Sequence, residues 1–253
     1  MCAAMLSRNE EALMSIMKVI KNVDRIARNE GFSGEGIEGL YGTIGFNGQM
    51  VLTFNLMRHG DLPSNMLRRK PGHGPVVVDF GAGIGRPLLL WTMLNIVERA
   101  VGFELDAFKV TGAATYTEWM LHEAVHERGL PVRREAPRVL QRDLLQLSPA
   151  EVAAHRPTLG YSFCAGVSPK PKRRIGDIFR AVESMRVLVV VDYGKRNAVR
   201  ALFGDPEEEQ QGEQQGPGER VVLHRTLRGL KPVGNNGTYT AYIFRKEEGE
   251  PRR

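Results

Sequence analysis

Two carboxylates and a set of spaced glycines carry the first chemistry legible in this chain. In Val76-Val77-Val78-Asp79-Phe80-Gly81-Ala82-Gly83-Ile84-Gly85-Arg86-Pro87 an acid is followed by glycines at every second position. Glycine lets a backbone turn tightly and approach a ligand with no Cβ in the way. Glu104 stands 25 residues after Asp79, at the end of a second apolar run, Arg99-Ala100-Val101-Gly102-Phe103-Glu104. A carboxylate there accepts two hydrogen bonds from a ribose diol, so the two segments together read as a nucleoside site. Asp106 reads instead as the acid that opens the next helix. The glycine spacing decides between cofactors. A dinucleotide fingerprint wants glycine or alanine three positions after Gly83, and Arg86 stands there.

Such residues act together only if strands end at one edge and bring them there. The valine run suits a strand, 76–80, buried on both faces of a parallel sheet. Pro87 suits the first turn of a helix near 86–98. Further strands are expected at 100–105, 138–143, 158–164 and 187–191. They alternate with helices near 107–128, 149–155, 172–184 and 195–203. Strands at 220–227 and 238–245 flank a Gly/Asn turn and read as a hairpin. Residues 205–219, rich in Glu, Gln, Gly and Pro, read as a disordered insert. Upstream, helices are expected at 10–28 and 47–59, then a polar linker at 60–75. The expected architecture is α/β, a doubly wound seven-stranded sheet closed by a terminal antiparallel hairpin. A helical extension over 1–75 precedes the sheet domain at 76–253. In open α/β sheets ligands bind at the carboxyl edge.

Other candidates fall at the same edge. Asp143 ends the third strand, either as an acceptor for an adenine amino group or as a solvated loop acid. The fourth strand ends Gly160-Tyr161-Ser162-Phe163-Cys164-Ala165-Gly166, polar and aromatic groups able to align a second substrate. Cys164 has two readings, nucleophile or buried structural cysteine; no Pro-Cys pair marks it as a nucleophile. Lys170, Lys172, Arg173 and Arg174 cluster at a helix start, where cations oppose the helix dipole. They read as phosphate contacts or as a solvated face. His122 and His126 with Glu123 lack metalloprotease spacing, and no metal is expected.

Bulk properties narrow the class. The 253 residues are 42% hydrophobic and 25% charged, enough for one large α/β domain. Two cysteines, Cys2 and Cys164, exclude a disulfide framework and a multi-cysteine zinc site. Arg8, Glu10 and Glu11 interrupt the first apolar stretch too early for a signal peptide. The apolar run from Pro87 to Val97 is too short to cross a bilayer, so no membrane partner is expected. A net charge of +6 permits an anionic partner such as nucleic acid.

The segment Asp79-x-Gly81-x-Gly83-x-Gly85 resembles motif I of the class I S-adenosylmethionine (SAM) methyltransferases. Further segments, in order, resemble the disruptor-of-telomeric-silencing family, histone lysine methyltransferases without a SET domain. They are Leu40-Tyr41-Gly42-Thr43, Val101-Gly102-Phe103-Glu104, Trp119-Met120, Arg142-Asp143-Leu144, Ser162-Phe163 with Gly166, and Lys231-Pro232-Val233 followed by Thr238-Tyr239. The resemblance covers about 40–245. Thr43 departs from the family glutamate, and Tyr161-Ser162 from an asparagine pair.

The resemblance implies SAM as cofactor and a lysine in the globular core of nucleosomal histone H3 as acceptor, hence a nuclear enzyme. It implies that Tyr41 and Thr43 cover the SAM methionine end and that Asp79, Gly81, Gly83 and Gly85 form the cofactor loop. Glu104 would hold the ribose and Asp143 the adenine side, while Ser162, Phe163 and Tyr239 would line the lysine channel. Basic segments, here Arg68, Arg69 and Lys70 with Lys170, Lys172, Arg173 and Arg174, would meet nucleosomal DNA. An apolar channel disfavours a charged amine, so no dedicated base or covalent intermediate is required. The alternatives are an RNA or small-molecule methyltransferase with the same cofactor, and a binding module that has lost its chemistry.

Overall fold

The computed structural model describes residues 11, 14–20, 44–63, 74–130, 132, 135–204, 220–231 and 238–247. The first named helix, α1 (Phe46–Arg58), is followed by β1 (Val76–Phe80), α2 (Arg86–Met93), β2 (Arg99–Glu104) and α3 (Ala107–His122). A π-helical turn, Glu123–Glu127, extends α3 to Gly129, whose φ of +60° stops it. Then come β3 (Arg138–Gln141), α4 (Pro149–Ala153), β4 (Leu159–Phe163), α5 (Pro169–Ala181), β5 (Val187–Asp192), α6 (Lys195–Phe203), β6 (Arg220–Leu230) and β7 (Tyr239–Glu247).

The strands form one seven-stranded sheet in the order β3-β2-β1-β4-β5-β7-β6. β1 to β5 pair in parallel, and β7 runs antiparallel between β5 and β6. The chain order therefore reverses beside β1, which opens a crevice where β1 and β4 end. β1 and β5 are buried on both faces because helices cover both sides, and their valine runs need that cover.

Alternation divides each strand between two cores. Val77, Tyr161, Val189 and Val191 face one side, with α1, α2 and α3. Val78, Phe80, Val190 and Phe244 face the other, with Ile175, Ile178 and Phe179 of α5 and Leu202 of α6. Ile16, Val19 and Ile20, within the helical residues 14–20, belong to the first core together with Leu52 and Leu56. Residue 75 is thus no packing boundary. Trp91 Nε1 donates to Thr53 Oγ1 at 2.9 Å, and Asp61 binds both Arg225 of β6 and Arg245 of β7. The expected extension shares the core of the domain that follows it.

α5 begins at Pro169, earlier than the expected 172, because proline is accommodated in the first turn after Ser168. The insert at 205–219 lies outside the described residues.

Candidate active site

The glycine loop leaves β1 as a series of left-handed turns, with φ of +79° at Gly81, +55° at Gly83 and +75° at Gly85. The amides of Gly81 and Ala82 both donate to the Phe103 carbonyl, at 2.8 and 3.1 Å, which ties the loop to β2. A Cβ at Gly81 or Gly83 would meet nothing within 4 Å, so open space lies against the loop. Gly85 is tighter, with Val139 Cγ2 at 3.3 Å from such an atom.

Glu104 is buried at the end of β2, next to the loop. Its Oε2 accepts from the Gly83 amide at 2.7 Å and its Oε1 from the Asp106 amide at 3.0 Å. Each carboxylate oxygen has two lone pairs, so both retain one for an incoming hydroxyl. Asp106 is the helix cap that the sequence suggested, accepting from the Phe108 amide at 2.9 Å. Asp143 stays at this edge because the Arg142 amide donates to the Glu104 carbonyl at 2.8 Å. Its Oδ1 accepts from the Leu145 amide at 2.8 Å, so one oxygen is spent on its own turn.

Asp79 is buried on the α1–α3 face of β1, opposite Tyr161 in the β1–β4 register. Its Oδ1 and the Tyr161 hydroxyl are buried with no hydrogen-bond partner among the described residues. Burial, and then the Glu104 carboxylate, push the Asp79 carboxyl well above the usual carboxylate range. A buried carboxyl oxygen without a partner, at the start of a loop that faces open space, suits a cationic or hydrogen-bond-donating ligand group. The residues present therefore fit a nucleoside that carries an amino acid: ammonium at Asp79, ribose at Glu104, the connecting atoms over Gly81 and Gly83.

Three aromatic rings stand further along this edge. Phe163 ends β4 and meets Tyr239, the first residue of β7, edge to face with ring centroids 4.9 Å apart. Tyr193, just past β5, also packs on Tyr239 at 4.8 Å, and the two hydroxyls lie 3.2 Å apart. Burial raises the Tyr239 hydroxyl above its ordinary range, and the hydrogen bond to Tyr193 adds to this, so it remains a neutral phenol. Sequence reasoning missed Tyr193. Its signal was an aromatic residue two positions past the apolar run Val187 to Val191.

Ser162 does not line this edge. Strand alternation turns it to the opposite face from Tyr161 and Phe163. There it is 0% exposed and donates to the Phe80 carbonyl at 2.7 Å. Cys164 is buried beside it, Sγ to Ser162 Oγ 3.2 Å, and burial pushes its thiol up to about 12. The structural reading of this cysteine holds and the nucleophilic one does not.

The basic cluster on α5 divides by helix face. Lys172 points inward, and its Nζ lies 2.5 Å from Asp192 Oδ2 in a buried ion pair, so it is no phosphate contact. Arg174 is half-buried and spends its Nε on the Leu147 carbonyl at 3.0 Å. Lys170 and Arg173 are the exposed members. Tyr41, Thr43, Arg68, Arg69 and Lys70 lie outside the described residues.

No family model matches the sequence, and no curated protein matches it. Solved structures match the fold. A protein from Pyrococcus horikoshii, provisionally described as an RNA methyltransferase, aligns with a TM-score of 0.51 at 16% identity, over 84% of this chain and 92% of its own. A TehB-like SAM-dependent methyltransferase from Corynebacterium glutamicum aligns at 0.49 and 15% identity, over 90% of this chain and 97% of its own. With the strand order and terminal hairpin, the first likeness shows the fold of the class I SAM-dependent methyltransferases.

Proposed function

We propose that this chain is a SAM-dependent methyltransferase that acts on RNA. The observation that carries the cofactor is Asp79: a buried carboxyl oxygen with no partner, beside a glycine loop that faces open space and a ribose-competent Glu104. When bound, SAM supplies a sulfonium-activated methyl group for in-line attack. The chain's own residues then do the rest. Asp79 holds the ammonium, Glu104 the ribose, and the glycine loop admits the backbone of the cofactor closely.

Phe163 and Tyr239 keep water from the reacting atoms and orient the acceptor. A nitrogen acceptor must attack as a neutral atom, and apolar surroundings favour that form. Tyr239 keeps its proton, so it orients through its hydroxyl and takes no proton at neutral pH. Buried Cys164 and Ser162 take no part, and methyl transfer is direct.

Three features support RNA as acceptor. The fold neighbour from Pyrococcus horikoshii is provisionally described as an RNA methyltransferase. The net charge is +6. Lys170 and Arg173 are exposed on the helix that follows β4.

A second reading, methylation of a lysine in the core of nucleosomal histone H3, has its own support in the ordered segments that resemble the disruptor-of-telomeric-silencing family. Nuclear residence and DNA contacts belong to that reading alone. Labelled SAM offered with total RNA, nucleosomes and free histones separates the two. Label on RNA, lost in Tyr239→Ala and Phe163→Ala, is expected; label on histone H3 in nucleosomes alone would establish the second reading instead.

A further inference from the structure

The RNA reading gains a specific acceptor subsite from a tyrosine outside every motif in the sequence. Tyr193 is 60% exposed. A lone exposed aromatic is ordinary, but this ring is neither alone nor loosely held. It packs on Tyr239 at 4.8 Å, which packs on Phe163 at 4.9 Å, so rings from three strand ends form one cluster at the carboxyl edge. The Tyr193 amide donates to Asp192 Oδ1 at 2.8 Å, and the other oxygen of Asp192 pairs with Lys172 Nζ at 2.5 Å. The ring is thus fixed at both ends, through its backbone to a buried carboxylate and through its hydroxyl to Tyr239.

The ion pair beneath it needs a reason. Removing both charges from water costs more than such pairs commonly return, and apolar residues would fill the space at least as stably. What the pair provides is position. It anchors the residue that ends β5 to the first turns of α5, and so sets where Tyr193 stands. Those same turns carry Lys170 and Arg173 on their exposed side, cations without the acidic first turn that a helix start favours. A rigid ring with an open side, bonded to a neutral phenol and tied through Asp192 to a helix that carries the exposed Lys170 in its first turn, matches a flat base on a polyanionic backbone.

We infer that Tyr193 is the stacking platform for the acceptor base of a single-stranded RNA, and that the buried Lys172–Asp192 pair positions it. The inference rests on the RNA reading above. A base splayed from its strand would lie against Tyr193 and reach past Tyr239 toward the methyl group. A base held in a duplex would not expose its face to the ring, so single strands or loops are the acceptor class.

The test uses the full chain, a labelled mixed-sequence single-stranded RNA 20-mer, its duplex, and S-adenosylhomocysteine as cofactor probe. Tyr193→Ala is expected to weaken single-strand binding about tenfold and to raise KM for RNA, with S-adenosylhomocysteine affinity unchanged. Tyr193→Phe keeps the ring but loses its hydroxyl tie to Tyr239, and is expected to weaken single-strand binding less than Tyr193→Ala does. Tyr193→Trp is expected to bind too, its fluorescence quenched as RNA is added. Lys172→Met should reproduce the KM defect and add nothing to Tyr193→Ala when combined. Parent-like RNA binding by Tyr193→Ala, or an equal loss of cofactor affinity, overturns the platform. An additive double variant overturns the positioning role. If the parent protein binds S-adenosylhomocysteine but no RNA, the RNA reading itself fails; if parent and Tyr193→Ala methylate RNA equally, only the platform fails.

Discussion

The Gly83 amide donates to Oε2 of Glu104 at 2.7 Å, so the glycine loop and the end of β2 form one unit. Glu104→Gln keeps the shape and one acceptor oxygen but loses the charge and the second acceptor. A charge-assisted hydrogen bond is roughly twice as strong as a neutral one. S-adenosylhomocysteine affinity in the Gln variant is expected to fall about tenfold, and further in Glu104→Ala, where the loop loses its tie. Titration calorimetry reads both. Parent-like affinity in Glu104→Gln would remove the ribose from this residue.

Asp79 makes stability depend on pH in a defined direction. Its carboxyl is held well above the ordinary range by burial and by Glu104. In the unfolded chain it ionises near pH 3.9. Above that value the unfolded state sheds a proton that the folded state keeps, so stability falls as pH rises toward the folded pKa and levels beyond it. Asp79→Asn lacks this slope and should melt higher than the parent at neutral pH while binding S-adenosylhomocysteine poorly. A ligand ammonium favours ionised Asp79, so binding should also release a proton. Calorimetry in buffers of different ionisation enthalpy checks that; no proton release and a flat melting profile would place the ammonium elsewhere.

The parts of this fold that are local in sequence were legible from it. The valine run and the alternating glycines need only neighbours within a few residues, and β1 lies where the pattern put it. Reading the whole end of β4 as one lining misplaces Ser162, which simple alternation from Phe163 turns to the other face. Lys172 reads from the sequence as a phosphate contact or as part of a solvated face. Yet it lies three, four and seven residues before Ile175, Gly176 and Phe179, the buried stripe of α5. Its partner Asp192 sits on another element, as Arg225 and Arg245 do for Asp61. Pairings of that range leave no local trace in a single sequence. Tyr193 was passed over because β5 was expected to end at Val191, while it continues to Asp192 and delivers the next residue to the edge.

Cys164 separates this chemistry from covalent methyl transfer to carbon. Its thiol is buried, paired with Ser162 Oγ at 3.2 Å and raised to about 12, which leaves almost no thiolate at neutral pH. Cys164→Ala is expected to retain methylation activity within about twofold and to lose roughly 1 kcal/mol of stability from the vacated core volume. The native protein should resist thiol reagents at this position until denatured. Abolished turnover in a folded Cys164→Ala protein would restore the nucleophile.

Asp61 decides whether the helix α1 stays on the hairpin. Its carboxylate is 0% exposed and takes both Arg225 and Arg245. Arg225 Nε also donates to Asn55 Oδ1 at 3.0 Å, and Arg245 reaches the His59 carbonyl at 3.0 Å. Removing one member of a buried charge cluster leaves the others uncompensated, at a cost of about 3–5 kcal/mol. In a domain of this size that is a fall in melting temperature of roughly 10 °C. Asp61→Ala should show that fall, and added salt should screen the parent cluster little because it is buried. Arg245 lies on the same strand as Tyr239, six residues on. The loosened hairpin should therefore raise KM for the methyl acceptor while S-adenosylhomocysteine, held on β1 and β2, binds as before. A variant that melts with the parent would show that α1 is held by its apolar face alone.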